Sequence, residues 1–247
     1  MHLQCCVNGS RTRLEHPAVP LTADAIAADA ARISAAGATS LHVHPRAADG
    51  SESLDPASVG TVIAAMRSAR PELGIGVTTA AWIEPDPARR LAAIAAWDPV
   101  PDFASVNLSE DGYLDVVDLL NARGVGVEAG VWTEDDAREF VKRGLDAACD
   151  RLLVEVEAAD GAETAVALAS RIDLILDDGL VETPRLHHGS GRATWAVIAS
   201  AVEHGHDVRV GLEDTLVMPD GSVAADNASL VEACAALARA AGRLPNH

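Results

Sequence analysis

The stretch FASVNLSEDGYLDVVDLLNARGVGVEAGVW, residues 103–132, decides the fold. FASVNL reads as a short strand, the middle carries apolar residues at helical spacing, Gly124 stands where a left-handed helix stop belongs, and GVGVEAGVW reads as another strand. A strand, a helix and a second strand in this order make a parallel pair joined by a right-handed crossover.

The same unit recurs along the chain. Strands are expected at LQCCVN (3–8), SLHVH (40–44), GIGVTT (74–79), FASVNL (103–108), GVGVEAGVW (124–132), RLLVEVE (151–157), PRLHHG (184–189) and DVRVGLE (207–213), each followed by a helix. Asp55-Pro56, Asp86-Pro87 and Thr133 with Asp136 mark helix starts, and Gly37, Gly144, Gly205 and Gly242 mark stops. Leu230, Cys234, Leu237 and Ala241 repeat at the spacing of one buried helix face. Such units predict an α/β fold, a single (β/α)8 TIM barrel over residues 1–247. An open doubly wound sheet is the alternative, but no Gly-x-Gly-x-x-Gly follows the first strand.

Composition narrows the chemistry. A formal net charge of −18 argues against a nucleic-acid partner, which needs a basic face. Lys142, in TEDDAREFVKRG, is the only lysine, so Schiff-base aldolases, pyridoxal-phosphate enzymes and P-loop NTPases lose their essential residue. Cys5, Cys6, Cys149 and Cys234 lack zinc-finger spacing and need no disulfide. No apolar run approaches the roughly 18 residues of a membrane span, and a cytoplasmic protein is expected.

In a barrel of this kind chemistry gathers at the C-terminal strand ends. Those ends carry Asn8, His42, His44, Thr78, Thr79, Ser105, Asn107, Glu128, Glu155, Glu157, His187, His188, Arg209, Glu213 and Asp214. His42 and His44 share a strand face roughly 6.6 Å apart, near enough to converge on one ion. Strand 8 shares their layer, and parity along it turns Glu213 inward with Arg209 beneath and Gly211 between. A His, His, Glu set with open positions is a common catalytic zinc arrangement, in which the ion polarises a carbonyl oxygen.

The other candidates are less sharply drawn. Glu128 is either a buried carboxylate paired with an arginine or a catalytic or substrate-binding group. Glu155 and Glu157 read as mainly structural. His187 and His188 have opposite parity, so at most one faces the interior. In GSGR, Gly189, Gly191 and Arg192 suggest an anion site for a cofactor phosphate at a helix start.

With these residues assembled, the chain resembles the β-keto acid cleavage enzymes, the family that includes 3-keto-5-aminohexanoate cleavage enzyme. The resemblance is carried by PLTADAIAADAARISAAGATSLHVHPRAADGS, GVTTA, ASVNLS, GSGR and above all HDVRVGLEDTLVMPDGSVAADNASLVE. It implies a zinc-dependent (β/α)8 barrel, with one zinc per chain, that takes a β-keto acid and acetyl-CoA and yields acetoacetate and a new acyl-CoA. It further implies ligation by His42, His44 and Glu213, proton transfer by Arg209 and Asp214, substrate contacts from Thr78 or Thr79 and Ser105, with Asn107 beside them, and a homo-oligomer, dimer or tetramer. Arginine is a poor base at its ordinary pKa, which makes Asp214 the physically easier base.

Departures from the family pattern carry information. The family's common Thr-Gly-Ala after strand 1 is NGSRTR here, which puts Arg11 near the mouth with Arg46 close by. A basic rim of this kind predicts a substrate tail that is anionic or neutral and not an amine. Rival functions are a 3-hydroxyacyl thioester lyase, an amidohydrolase-type hydrolase and a non-catalytic scaffold. The hydrolase usually sets His-x-His on strand 1, whereas here it stands on strand 2.

Overall fold

The computed structural model describes residues 1–157 and 161–243. Its strands are β1 Leu3–Cys6, β2 Ser40–Val43, β3 Gly74–Thr78, β4 Phe103–Asn107, β5 Gly126–Val131, β6 Arg151–Val156, β7 Arg185–Gly189 and β8 Asp207–Val210. They pair in sequence order, all parallel, and β8 pairs with β1 to close the barrel. Between and after them lie α1 Ala23–Ala36, α2 Pro56–Ala69, α3 Pro87–Ala95, α4 Tyr113–Ala122, α5 Glu134–Arg143, α6 Ala162–Asp178, α7 Thr194–His204 and α8 Asn227–Ala240. Among the described residues no helix is long and apolar enough to cross a membrane.

Local chemistry sets these boundaries. The Asp55 carboxylate accepts from the amides of Ala57 and Ser58 (3.0 and 3.3 Å), so α2 starts at Pro56, whose missing N–H costs nothing there. Thr133 and Asp136 form a reciprocal capping box on α5, and Gly144 ends that helix in the left-handed conformation at φ 66°. Outward-facing Leu41, Val43, Ile75 and Val77 belong to one buried cluster with Ile26, Ile33 and Ile63 of the helices. Each such side chain contributes about 1.5–3 kcal/mol by leaving water.

Several strands are shorter than sequence pattern suggests, and β8 matters most. It ends at Val210, three residues before the expected Glu213, because the amides of Asp214 and Thr215 both turn back onto the Gly211 carbonyl at 3.0 Å. A Cβ on Gly211 would lie 1.9 Å from the Cys6 carbonyl oxygen, so the turn crosses the end of β1 only because residue 211 is glycine. Glu213 therefore reaches the barrel mouth by a turn and not by strand alternation.

The lower lumen is polar. Gln4 Nε2 donates to both Glu128 oxygens (2.8 and 3.1 Å), Arg151 pairs with the same carboxylate, and the Arg151 guanidinium lies 5.4 Å from the Phe103 ring centre. Arg209 sits beside Gln4 in register.

Candidate active site

The upper lumen opens into a small cavity among strand ends. His42, His44, Glu213 and Arg209 stand on one side, Thr78, Ser105, Asn107 and Glu155 on the others, and Trp82, Trp132 and Leu153 supply apolar wall. The ligand atoms of His42, His44 and Glu213 all lie within 4.8 Å of one another, and His44 Nε2 is 3.7 Å from Glu213 Oε1. The alternation expected for His42 and His44 is thus realised.

The His44 ring is fixed from outside. His44 Nδ1 hydrogen-bonds the Glu52 carboxylate. Burial alone would raise the Glu52 pKa, but the hydrogen bonds from His44 and Ser10 and the charge of Arg46 outweigh it and hold the group below the usual carboxylate range. An ionised carboxylate only accepts, so Nδ1 donates and the Nε2 lone pair faces Glu213. Asn8 clamps the same residue by its backbone, accepting from the His44 amide (2.9 Å) and donating to its carbonyl (3.0 Å). Burial, with the charge of Arg209 adding to it, pushes the His42 pKa far down, so its imidazole is neutral and able to ligate.

These donors fit a divalent cation. His42 Nδ1 and Glu213 Oε2 are buried without a hydrogen-bond partner, a costly state that a cation among the three side chains relieves. Two imidazoles and one carboxylate make a ligand set typical of catalytic zinc with positions left open.

A chain of charges runs from the cluster across the mouth. Arg209 Nη2 contacts Glu213 Oε1 at 2.5 Å and Asp214 Oδ1 at 3.3 Å. His188 Nδ1 lies 3.4 Å from Asp214 Oδ1, and its Nε2 lies 3.2 Å from Glu155 Oε2. Neither His188 nitrogen is aligned for a full hydrogen bond, so these contacts are ionic. Burial and Arg209 push the His188 pKa down, but Glu155 and Asp214 overcome them and raise it to about 9. His187 points outward as parity requires, 3.2 Å from Asp173 and stacked on His206 at 4.4 Å, where Arg185 also holds Asp173 (3.0 Å).

Other sequence candidates take different places. Thr78 lines the cavity, whereas Thr79 Oγ1 donates to the Ser105 carbonyl (2.6 Å). Glu128 does not reach the cavity: it is fully buried one layer below, where burial raises its pKa against the opposing pull of Arg151, Gln4 and Arg209. That placement is the buried carboxylate paired with an arginine. Arg11 donates to the Leu212 carbonyl (3.1 Å) and to Glu15 (2.9 Å), and Arg46 donates to the carbonyls of Gly9 and Arg11. Among the described residues neither Arg11 nor Arg46 lines the cavity, and both donate to carbonyl oxygens of neighbouring loops.

The GSGR loop is also tied inward. Ser190 N donates to the Val156 carbonyl (3.1 Å), Gly191 N to that of Asp214 (2.7 Å), and Thr194 Oγ1 to that of Gly189 (2.7 Å). The expected cradle of free amides is thereby largely consumed, and Arg192 stands exposed beside it.

Sequence reading missed Glu52, Trp82, Trp132 and Leu153, and it placed Glu155 among structural residues. A signal for Glu52 was present. Asp49-Gly50 is a hairpin dipeptide, and Arg46 and Glu52 pair across it as an isolated antiparallel bridge.

Comparison with known proteins places this geometry. The sequence matches the family described as beta-keto acid cleavage enzyme across residues 1–247. A relative described as 3-keto-5-aminohexanoate cleavage enzyme, from Fusobacterium nucleatum subsp. nucleatum, is 26% identical over 260 residues, covering 98% of this chain and 92% of that protein. Apo ObcA superposes with a TM-score of 0.75 at 16% identity, and its binary complex with oxaloacetate with 0.76 at 17%. Each match covers 92% of this chain but only 63% and 65% of ObcA, so the chain spans just under two thirds of that protein. A type I 3-dehydroquinate dehydratase from Clostridium difficile gives a TM-score of 0.64 at 12% identity, over 97% of this chain and 92% of that one. At these identities the likeness to solved structures is one of fold.

Proposed function

The chain belongs to the beta-keto acid cleavage enzyme family, and from that premise we propose a zinc-dependent reaction in which a β-keto acid and acetyl-CoA yield acetoacetate and a new acyl-CoA. The observation that carries the zinc reading is the convergence of His42, His44 and Glu213 with two orphaned buried ligand atoms among them. When bound there, zinc supplies Lewis acidity to the ketone and carboxylate of the β-keto acid.

The protein's own groups bind and orient the substrate. Thr78 and Ser105 present hydroxyls to the cavity, and Arg209 holds a fixed positive charge behind Glu213. The remaining wall decides the tail. Trp82, Trp132 and Leu153 supply apolar wall, and Arg11 and Arg46 donate to loop carbonyls, which favours a neutral, apolar tail over a dicarboxylic one. The amine-bearing substrate named for the Fusobacterium relative is disfavoured on the same ground, since Glu155 is already matched by His188.

Four buried free cysteines suit a reducing cytoplasm as the site of this reaction. Incubation with acetyl-CoA and a panel of β-keto acids bearing apolar, carboxylated and amino tails tests the assignment. Acetoacetate is expected, fastest with the apolar tail, alongside one zinc per chain by elemental analysis. A metal-loaded protein that forms no acetoacetate from any member of the panel overturns it.

A further inference from the structure

We propose a second metal site, outside the barrel wall, in which Asp173 of α6, His187 of β7 and His206 just before β8 hold a divalent transition-metal ion. The inference does not depend on the β-keto acid reading, because none of the three residues lines the cavity at the barrel mouth. Their ligand atoms all lie within 4.8 Å of one another, as those of His42, His44 and Glu213 do. His187 Nε2 stands 3.2 Å from Asp173 Oδ1, and His206 Nε2 stands 3.6 Å from Asp173 Oδ2. Ligands around a tetrahedral ion with bonds of about 2.0–2.1 Å stand roughly 3.3 Å apart, so the carboxylate is already at ligand spacing from both rings.

These contacts are not hydrogen bonds. His187 Nε2 is buried without a hydrogen-bond partner on a side chain only 3% exposed, and 3.6 Å is too long for His206 to bond the carboxylate. A buried nitrogen in that state is costly, and an ion between the rings and the carboxylate relieves it. The two rings stack in parallel, with centres 4.4 Å apart and planes 6° apart, and turn both Nε2 atoms towards one carboxylate. Burial pushes the His206 pKa down to about 4, which leaves a neutral imidazole able to ligate.

The surroundings admit a cation. A cavity of about 300 Å³ opens beside His206, lined by Asp177, Glu182 and Asp207 and, against these three acids, by the one guanidinium of Arg185. Arg185 donates to Asp173 Oδ1 at 3.0 Å and to Asp177 Oδ1 at 2.6 Å, which leaves Asp173 Oδ2 for the ion. The same guanidinium repels a cation, so this site binds more weakly than the mouth site and fills when metal is added to protein that already carries one zinc. Two imidazoles and a carboxylate select zinc, copper, nickel or cobalt over magnesium or calcium. Bound there, the ion ties α6 to β7 and to the turn before β8.

Cobalt(II) added to zinc-loaded wild-type protein reads this site by absorption, because zinc binds the mouth ligands more tightly than cobalt and keeps its place. One equivalent of cobalt per chain is expected, with the visible d–d bands of nitrogen and oxygen ligation. His206→Ala and Asp173→Asn alter partly exposed side chains, and each should weaken that binding by more than about 10-fold, since losing a ligand costs at least as much as losing its outer-shell support. The double variant His42→Ala/His44→Ala, which removes the mouth ligands, should still bind this equivalent, so the site stands whether or not the catalytic reading does. If His206→Ala and Asp173→Asn do not fold, proton–nitrogen-15 spectra of wild-type imidazoles should show His187 and His206 shifting when excess zinc is added to zinc-loaded protein. The inference is overturned by zinc-loaded wild type that gives no cobalt bands, by bands undiminished in both His206→Ala and Asp173→Asn, or by His187 and His206 signals that excess zinc leaves in place.

Discussion

His44 Nδ1 is held by the carboxylate of Glu52, a residue eight positions on that a short hairpin folds back over the barrel mouth. The bond selects the tautomer whose Nε2 lone pair faces Glu213, and it makes the ring a stronger donor to a metal. Glu52→Ala should therefore weaken zinc binding by about 10–100-fold with little change in fold. Chelator competition measures it, and wild-type affinity in the variant would show that Glu52 does not orient the ligand.

Space around Glu213 gives a second expectation. A Cβ on Gly9 would lie 2.4 Å from Glu213 Cγ, and Gly9 has φ 50°. Gly9→Ala should displace the ligand side chain, lowering metal occupancy, and add about 1–3 kcal/mol of backbone strain. Gly50→Ala is the matching control, because its φ of 87° carries strain but nothing lies within 4 Å. Melting temperatures should fall in both variants, and bound zinc should fall only in Gly9→Ala.

The pattern of what the sequence disclosed follows from the range of the forces involved. Period-2 alternation is local, so it placed His42 with His44 and separated His187 from His188 correctly. The barrel itself follows from repeated strand, helix and stop signals. Glu213 was identified for a reason the structure replaces: Gly211 turns the chain over Cys6, and alternation ends at Val210. The engagement of Arg11 and Arg46 was not legible, because charge is visible in a sequence while the carbonyls that accept from them, those of Leu212 and Gly9, lie in loops distant along the chain. That Glu155 lines the cavity beside His188 was not legible, because the two become adjacent only when β6 and β7 pair.

Arg209 carries a third prediction. It is 2% exposed and pairs with both Glu213 and Asp214. Arg209→Met leaves two buried carboxylates without their cation, which should cost metal-free protein about 3–5 kcal/mol. Zinc should restore part of that loss, since the ion neutralises Glu213 directly. Chemical denaturation of chelated and zinc-loaded variant tests this, and a zinc-independent loss would place the damage away from Glu213.

The last prediction concerns alkaline stability. The His188 pKa stands at about 9 in the fold, held up by Glu155 and Asp214 against burial and Arg209, and at about 6.5 when unfolded. A raised folded pKa means that the native state binds the proton more tightly, so this contribution is fully present below pH 6.5 and is lost as pH rises through about 9. The acid side has a different origin. Burial, with the His187 charge, pushes His206 down to about 4, so protonating it below pH 6.5 favours unfolding. Chelated wild-type protein should therefore lose stability between pH 6.5 and 9, and His188→Asn should be less stable at pH 6 yet flatter across that interval. Melting curves of both proteins at matched ionic strength decide it. A stability difference that stays constant from pH 6 to 9 would mean that the fold does not raise the His188 pKa, and that the contacts with Glu155 and Asp214 do not favour its charged form.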